Sequence, residues 1–160
     1  MTDEPAETAQ SAETTALEIC PSCNSSFMRV ADVDPSDPMG VAIALGHLQK
    51  CGTAKDIQDL LARDPARHVD ISDPGSTAFL LETLRGEGAG EQAAALLARD
   101  PAGQCELDDR GAVVTLAWCL HDAGADDQVT ALLTRLSAVG DWALLDEIHE
   151  SAGIPVPQQD

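Results

Sequence analysis

The sequence predicts an all-α protein built from helix pairs that recur at a fixed period. Three observations carry that prediction. The string Leu-Ala-Arg-Asp-Pro-Ala occurs at residues 61–66 and again at 97–102, an offset of 36. The aromatic residues are Phe27, Phe79, Trp118 and Trp142, with no Tyr, so Ala, Leu and Val must build the core. Small side chains favour close helix-on-helix packing, and Ala is the strongest helix former. Finally, Asp, Pro and Gly recur where helices would start and stop.

The same offset of 36 aligns Asp37, Asp73 and Asp109; Leu48, Leu84 and Leu120; Gly52, Gly88 and Gly124; Leu61, Leu97 and Leu133; and Arg63, Arg99 and Arg135. Gapless identity in these columns marks an internal repeat. Each unit reads as two helices. The aligned Asp is an N-cap acceptor, and Pro38 and Pro74 follow it at the first helical position, where a missing N–H costs nothing. The first helix then carries apolar residues at helical spacing: Phe79, Leu80 and Leu84 in one unit, Val113, Leu116 and Leu120 in the next. The aligned Gly ends it by supplying a left-handed C-cap. The second helix presents Ala93, Leu96 and Leu97, or Val129, Leu132 and Leu133, on one face. Asp64-Pro65 and Asp100-Pro101 are expected to stop it. The connectors Val69-Asp70-Ile71 and Cys105-Glu106-Leu107 are expected to run extended across the helix ends.

After Leu133 the register breaks, and residues 141–151, with Trp142, Leu144, Leu145 and Ile148, predict one amphipathic closing helix that covers the last repeat face. The expected architecture is therefore a short right-handed α-solenoid of helix pairs, with an N-terminal CxxC loop and a C-terminal capping helix. Residues 1–18 hold five acids and no base and are expected to be a disordered tail. Residues 19–36 form the CxxC loop, 37–152 the helical repeat domain, and 153–160 an extended tail.

The run Leu-Ala-Arg-Asp-Pro-Ala-x-His-Val-Asp-Ile-x-Asp-Pro, followed by Leu-Leu-x-x-Leu-Arg-x-x-Gly-Ala-x-Glu-Gln-Ala-Ala-Ala, resembles the Ala/Asp-rich tandem helical repeats of actinobacterial proteins. The resemblance covers about residues 37–136. It implies a binding scaffold of the HEAT and tetratricopeptide class, without defined chemistry. The chain departs from those arrays in being short and in carrying Cys20-Pro21-Ser22-Cys23. It also lacks the Trp, Tyr and Phe pattern of tetratricopeptides proper.

Charge narrows the partners. With 28 acidic and 9 basic residues the net charge is −19. That disfavours direct nucleic-acid binding, which needs a patch of Lys and Arg, and an anionic membrane surface. A basic protein partner would be attracted, although strong acidity also serves solubility. No apolar run reaches the ~20 residues of a membrane span, and residues 1–17 lack the basic and apolar regions of a leader. A cytoplasmic location is expected, with the five cysteines reduced or on metal.

One constellation carries chemistry. Cys20 and Cys23 put two thiols on one tight turn, and His47 and Cys51, four apart, share a helix face. Together they are the ligand types of a closed, tetrahedral zinc site. In the repeat alignment His47 shares a column with Thr83 and Cys119, and Cys51 with Glu87 and Ala123, so this face is expected to lean toward solvent, where the N-terminal arm docks. Against zinc stand inert thiols and a redox-active pair. The redox reading lacks its βαβ setting, and the acidic surroundings oppose thiolate formation. Cys105 shares a column with Val33 and Val69 and reads as core. Cys119 and His121, two apart, do not face each other. His68 and His149 read as surface residues, and the Arg63, Arg99 and Arg135 column as a structural stripe paired with acids. No calcium-loop or phosphate-loop spacing occurs. The expected function is a non-catalytic protein–protein interaction scaffold with structural zinc on Cys20, Cys23, His47 and Cys51. The alternative is a zinc- or redox-responsive regulator using the same four residues.

Overall fold

The computed structural model of the chain describes residues 18–24, 26, 27 and 29–155. Of the tail assigned to residues 1–18, residues 1–17 lie outside them and Glu18 belongs to a short strand; the end of the C-terminal tail, 156–160, also lies outside. The described fold is helical, apart from one antiparallel pair of two-residue strands, β1 (Glu18–Ile19) and β2 (Ser26–Phe27). After a single 3-10 turn at Val30–Asp32 come α1 (Pro38–Cys51), α2 (Ala54–Leu61), α3 (Pro65–His68), α4 (Pro74–Gly86), α5 (Gly90–Leu97), α6 (Pro101–Gln104), α7 (Arg110–Asp122), α8 (Asp126–Val139) and α9 (Trp142–Ala152).

The start signals act as read. The carboxylates of Asp37, Asp73 and Asp109 accept from the backbone N–H groups of Met39, Ser76 and Ala112, capping α1, α4 and α7. Thr53 and Asp56 form a reciprocal capping box on α2. Gly88 and Gly124 take the left-handed conformation just past α4 and α7, both at φ +70°. Gly52 does not: it is extended, at φ −91° and ψ −170°. Its small size is needed for another reason, since a Cβ there would stand 2.8 Å from the Leu48 carbonyl oxygen.

The Asp-Pro pairs do more than stop the second helix of each unit. Asp64 and Asp100 are left-handed, and Pro65 and Pro101 begin the four-residue helices α3 and α6. Each connector is thus one helical turn followed by a short extended stretch, and the 3-10 turn at Val30–Asp32 stands 36 residues before residues 66–68 of α3. Val33, Val69 and Cys105, immediately after these turns, are all buried.

Packing follows the period. Helix α1 lies against α4, α4 against α7 and α7 against α9, while α2, α5 and α8 fold back on α1, α4 and α7. Leu48, Leu84 and Leu120 are buried in one shared column, and Leu60, Leu96 and Leu132 in another. The joints repeat too. The guanidinium of Arg63 donates to the Val30 carbonyl (2.6 Å), Arg99 to Ala66 (3.0 Å) and Arg135 to Ala102 (2.5 Å), each 33 residues back. The partners of the Arg column are therefore carbonyls of the preceding one-turn helix and not the acids expected. The backbone N–H groups of Asp70 and Glu106 donate to the carbonyls of Ser36 and Ser72, both at 2.8 Å.

At the C-terminal end Leu144, Leu145 and Ile148 of α9 are buried and Trp142 is partly buried against the core. Ile154 is buried as well, and its carbonyl lies 2.9 Å from Nδ1 of His149. Within the segment expected to be an extended tail, Gly153 and Ile154 are thus tied to α9, the Gly153 N–H donating to the His149 carbonyl at 2.9 Å. Phe79, placed in the core stripe by its spacing, is instead exposed.

Candidate metal centre

Two segments far apart in sequence build the site. The first is the β1–β2 hairpin, in register Glu18↔Phe27 and Ile19↔Ser26, whose tip carries Cys20 and Cys23. Pro21 fixes the backbone after Cys20. The Asn24 N–H donates to the Cys20 carbonyl at 2.8 Å, and Asn24 takes φ +55°, which its short polar side chain tolerates. The second segment is the last turn of α1, where His47 and Cys51 sit on one face and Gly52 admits the close turn into α2.

One ligand atom from each of Cys20, Cys23, His47 and Cys51 lies within 4.8 Å of all the others. Tetrahedral zinc with Zn–S bonds of about 2.3 Å puts sulfurs about 3.8 Å apart. The set therefore needs to contract by about 1 Å at most to meet on one ion. Cys20 is buried, His47 and Cys51 are half-buried and Cys23 is exposed. A cavity of about 350 Å³ opens beside them, bordered by Arg29, Leu48 and Asp56.

Electrostatics fit a cation. The Cys51 thiol is pushed up to about 11, first by its hydrogen bond with Cys23, then by burial, then by Cys20. Thiols this close cannot all ionise on their own, because each new thiolate repels the next. A divalent ion would supply the missing charge and take the thiolates as ligands. The group can hold a metal ion; it offers three sulfurs and one nitrogen, a set that suits zinc.

The reason the α1 face is available differs from the one expected. Thr83 and Cys119, in the column of His47, are half-buried, and Cys119 feels Glu82 and Arg85 of α4. At Cys119 that column lies near α4, while Thr83 is hydrogen-bonded only to the Phe79 carbonyl of its own helix. At α1 no first helix of an earlier unit stands before it among the described residues, and the CxxC turn occupies that side. The other cysteines belong elsewhere. Cys105 is buried, donates to the Ala102 carbonyl at 3.8 Å, and has its thiol held up by burial. Burial, then Glu82 and Asp122, do the same to Cys119. His68 is exposed, as expected.

Among the described residues no helix is long and apolar enough to cross a membrane. No protein-family model matches the chain, and no curated protein or solved structure matches it either.

Proposed function

We propose that this chain is a non-catalytic protein–protein interaction scaffold, a short right-handed α-solenoid whose N-terminal end is closed by structural zinc. The observation that carries the metal part is the convergence of Cys20, Cys23, His47 and Cys51 from two separate segments onto one centre. Four protein ligands leave no open position for substrate or activated water, so such a site stabilises and does not catalyse. The scaffold part is supported by the recurring joints, which build an extended stack of helices with α9 at its far end. The resemblance to Ala/Asp-rich helical repeats and the net charge of −19 favour a protein partner over nucleic acid or membrane, in the cytoplasm.

Zinc should co-purify at about one equivalent, since such ligand sets bind it with about 10–16 kcal/mol of apparent free energy. Cys20→Ser and Cys51→Ala should each lower zinc content and loosen residues 19–60, leaving residues 97–132 helical. Metal analysis that finds none in protein prepared without chelators would remove the zinc claim and leave the helical stack standing. The scaffold claim is tested by affinity capture from the protein's own cell extract followed by direct binding of the purified candidate. A purified candidate that fails to bind would count against it.

A second reading has its own observation. Cys23 is exposed beside two other thiols, so an oxidant could reach the cluster. A zinc- or redox-responsive regulator would change its partner affinity on chelation or peroxide treatment, where a scaffold would only lose stability.

A further inference from the structure

The first helices of the three units bury one side and turn the other outward, and the outward side is apolar where it need not be. Ile43 on α1 is 55 % exposed and Phe79 on α4 is 42 % exposed. They hold the same repeat position on two helices that pack side by side. Met39, one turn before Ile43, is also exposed. On α7 that position is Thr115, and one turn later Trp118 is 48 % exposed. Two of the four aromatic side chains of the chain therefore stand on this outer face and not in the core. Apolar side chains scattered singly need no explanation; Ile43 and Phe79 at one repeat position on adjacent helices do, and Trp118 continues the outward apolar surface beside Ser151 and Ala152 of α9.

Carboxylates border this surface. Glu82 and Asp122 are exposed beside it, and Asp37, Asp73 and Asp109 stand exposed at the starts of the three helices. Three residues before each of these come exposed Asp34, Asp70 and Glu106, the first two lying within reach of the Arg63 and Arg99 charges. The hydrogen bonds that Asp34 and Asp70 accept from Ser36 and Ser72 keep both carboxyls below their ordinary range and hence ionised. Of the bases nearby, Arg110 is taken up by Asp141 at 2.8 Å and Glu147 at 3.6 Å, Arg85 donates to the Asp122 carbonyl, and Lys50 is exposed in the last turn of α1, so the acids outnumber the bases along these helices.

We infer that this outer face of α1, α4 and α7 docks a basic amphipathic segment of a partner protein. Its apolar side chains would lie on Ile43, Phe79 and Trp118, and its Lys and Arg side chains over the bordering carboxylates. The inference rests on the scaffold reading above and specifies where the partner sits. Charge selects the occupant: a second copy would bring the same acidic border against itself and be repelled. Size agrees, because three helix axes about 9 Å apart span about 18 Å, which a helix of three to four turns covers.

The test uses the whole chain and a fluorescein-labelled synthetic peptide of about 18 residues, Leu at helical i, i+3, i+4 spacing and Lys elsewhere. Its comparators are a scrambled peptide of equal charge and an amphipathic version with Glu for Lys. The amphipathic basic peptide should bind, the Glu version should not, and the scrambled one should bind about tenfold or more weakly. Raising ionic strength from about 0.05 M to about 0.5 M should weaken binding. Ile43→Ser/Phe79→Ser should weaken it about tenfold or more with circular dichroism unchanged, and Trp118→Ser, made separately, should do likewise. Val139→Ser, at an exposed apolar residue on α8, should have no effect. Equal binding of the scrambled peptide, or full binding by the double variant, would overturn the inference. So would sedimentation showing a dimer that Phe79→Ser dissolves, since a second copy would then own the face. A purified natural partner that binds the double variant as well as the parent would refute this face while leaving the scaffold reading intact.

Discussion

Thr77→Val should make the protein more stable, which few buried substitutions do. Thr77 lies in α4 with no exposure to solvent, and its Oγ1 has no hydrogen-bond partner. Helical threonines elsewhere in the chain avoid that cost: Thr83, Thr115, Thr130 and Thr134 each donate to the carbonyl four residues earlier. At the same repeat position α1 has Val41 and α7 has Val113, both buried. Val and Thr have nearly the same shape and similar helix propensity, so the change swaps a stranded hydroxyl for a methyl without new volume. An unsatisfied buried hydroxyl costs about 1–3 kcal/mol, and the added methyl contributes up to about 0.8 kcal/mol. Allowing for relaxation around the hydroxyl, the expected gain is about 1–2 kcal/mol, or about 2–6 °C in Tm for a chain of this size. Urea and thermal unfolding followed by circular dichroism would measure it, with the urea m-value unchanged. Exposed Thr115→Val is the control and should fall within about 0.5 kcal/mol of the parent. A loss of more than about 1 kcal/mol in Thr77→Val would refute the reasoning. It would mean the hydroxyl is bonded after all, to the Asp73 carbonyl one turn back for instance.

Other outcomes follow from the same packing. Leu84→Ala empties a fully buried position and should cost about 2–5 kcal/mol in urea unfolding, while Thr83→Ala beside it should change little. Arg99→Met keeps the apolar stem but leaves the Ala66 carbonyl without its donor, for a loss of about 1–3 kcal/mol in the same assay. In metal-free protein the Cys51 thiol stays protonated to about 11, whereas an unfolded cysteine ionises near about 8.5. The hairpin's hold on α1 should therefore be fully present below about pH 8.5 and fade as pH rises toward 11, read by hydrogen exchange over residues 19–51. Zinc should reverse the dependence: binding displaces thiol protons, so apparent zinc affinity should fall as pH falls, measured by competition with a chelator.

The repeating helices could be read from sequence because their caps and core leucines recur unchanged at one offset. The clustering of Cys20, Cys23, His47 and Cys51 could be read because two short-spaced pairs of metal-ligand types stand in one N-terminal region. Other features escaped for physical reasons. Asp64-Pro65 and Asp100-Pro101 signal a helix end and a helix start with the same residues, so the one-turn helices after them looked like stops. The β1–β2 strands are two residues long, too short for alternation to show. Phe79 and Ile43 sit at helical spacing from core residues, and period alone cannot distinguish an outer apolar stripe from the edge of an inner one. The Arg column was visible, but its carbonyl partners lie 33 residues away, beyond any local pattern. Gly52 shares its column with two left-handed glycines and yet is extended, its role set by the crowding of Leu48.

The guanidinium joints bear on how such a chain changes length over generations. Arg63, Arg99 and Arg135 each reach back to an equivalent carbonyl, so one seam has the same chemistry as the next. Cutting out residues 64–99 would bring Arg63 directly before Asp100-Pro101, the same dipeptide that follows it now. Donor and acceptor would meet again across the new junction, with the hairpin still at one end and α9 at the other. A chain shortened in this way would keep the same guanidinium seam and both of its ends, so its length could change without new chemistry at the joint.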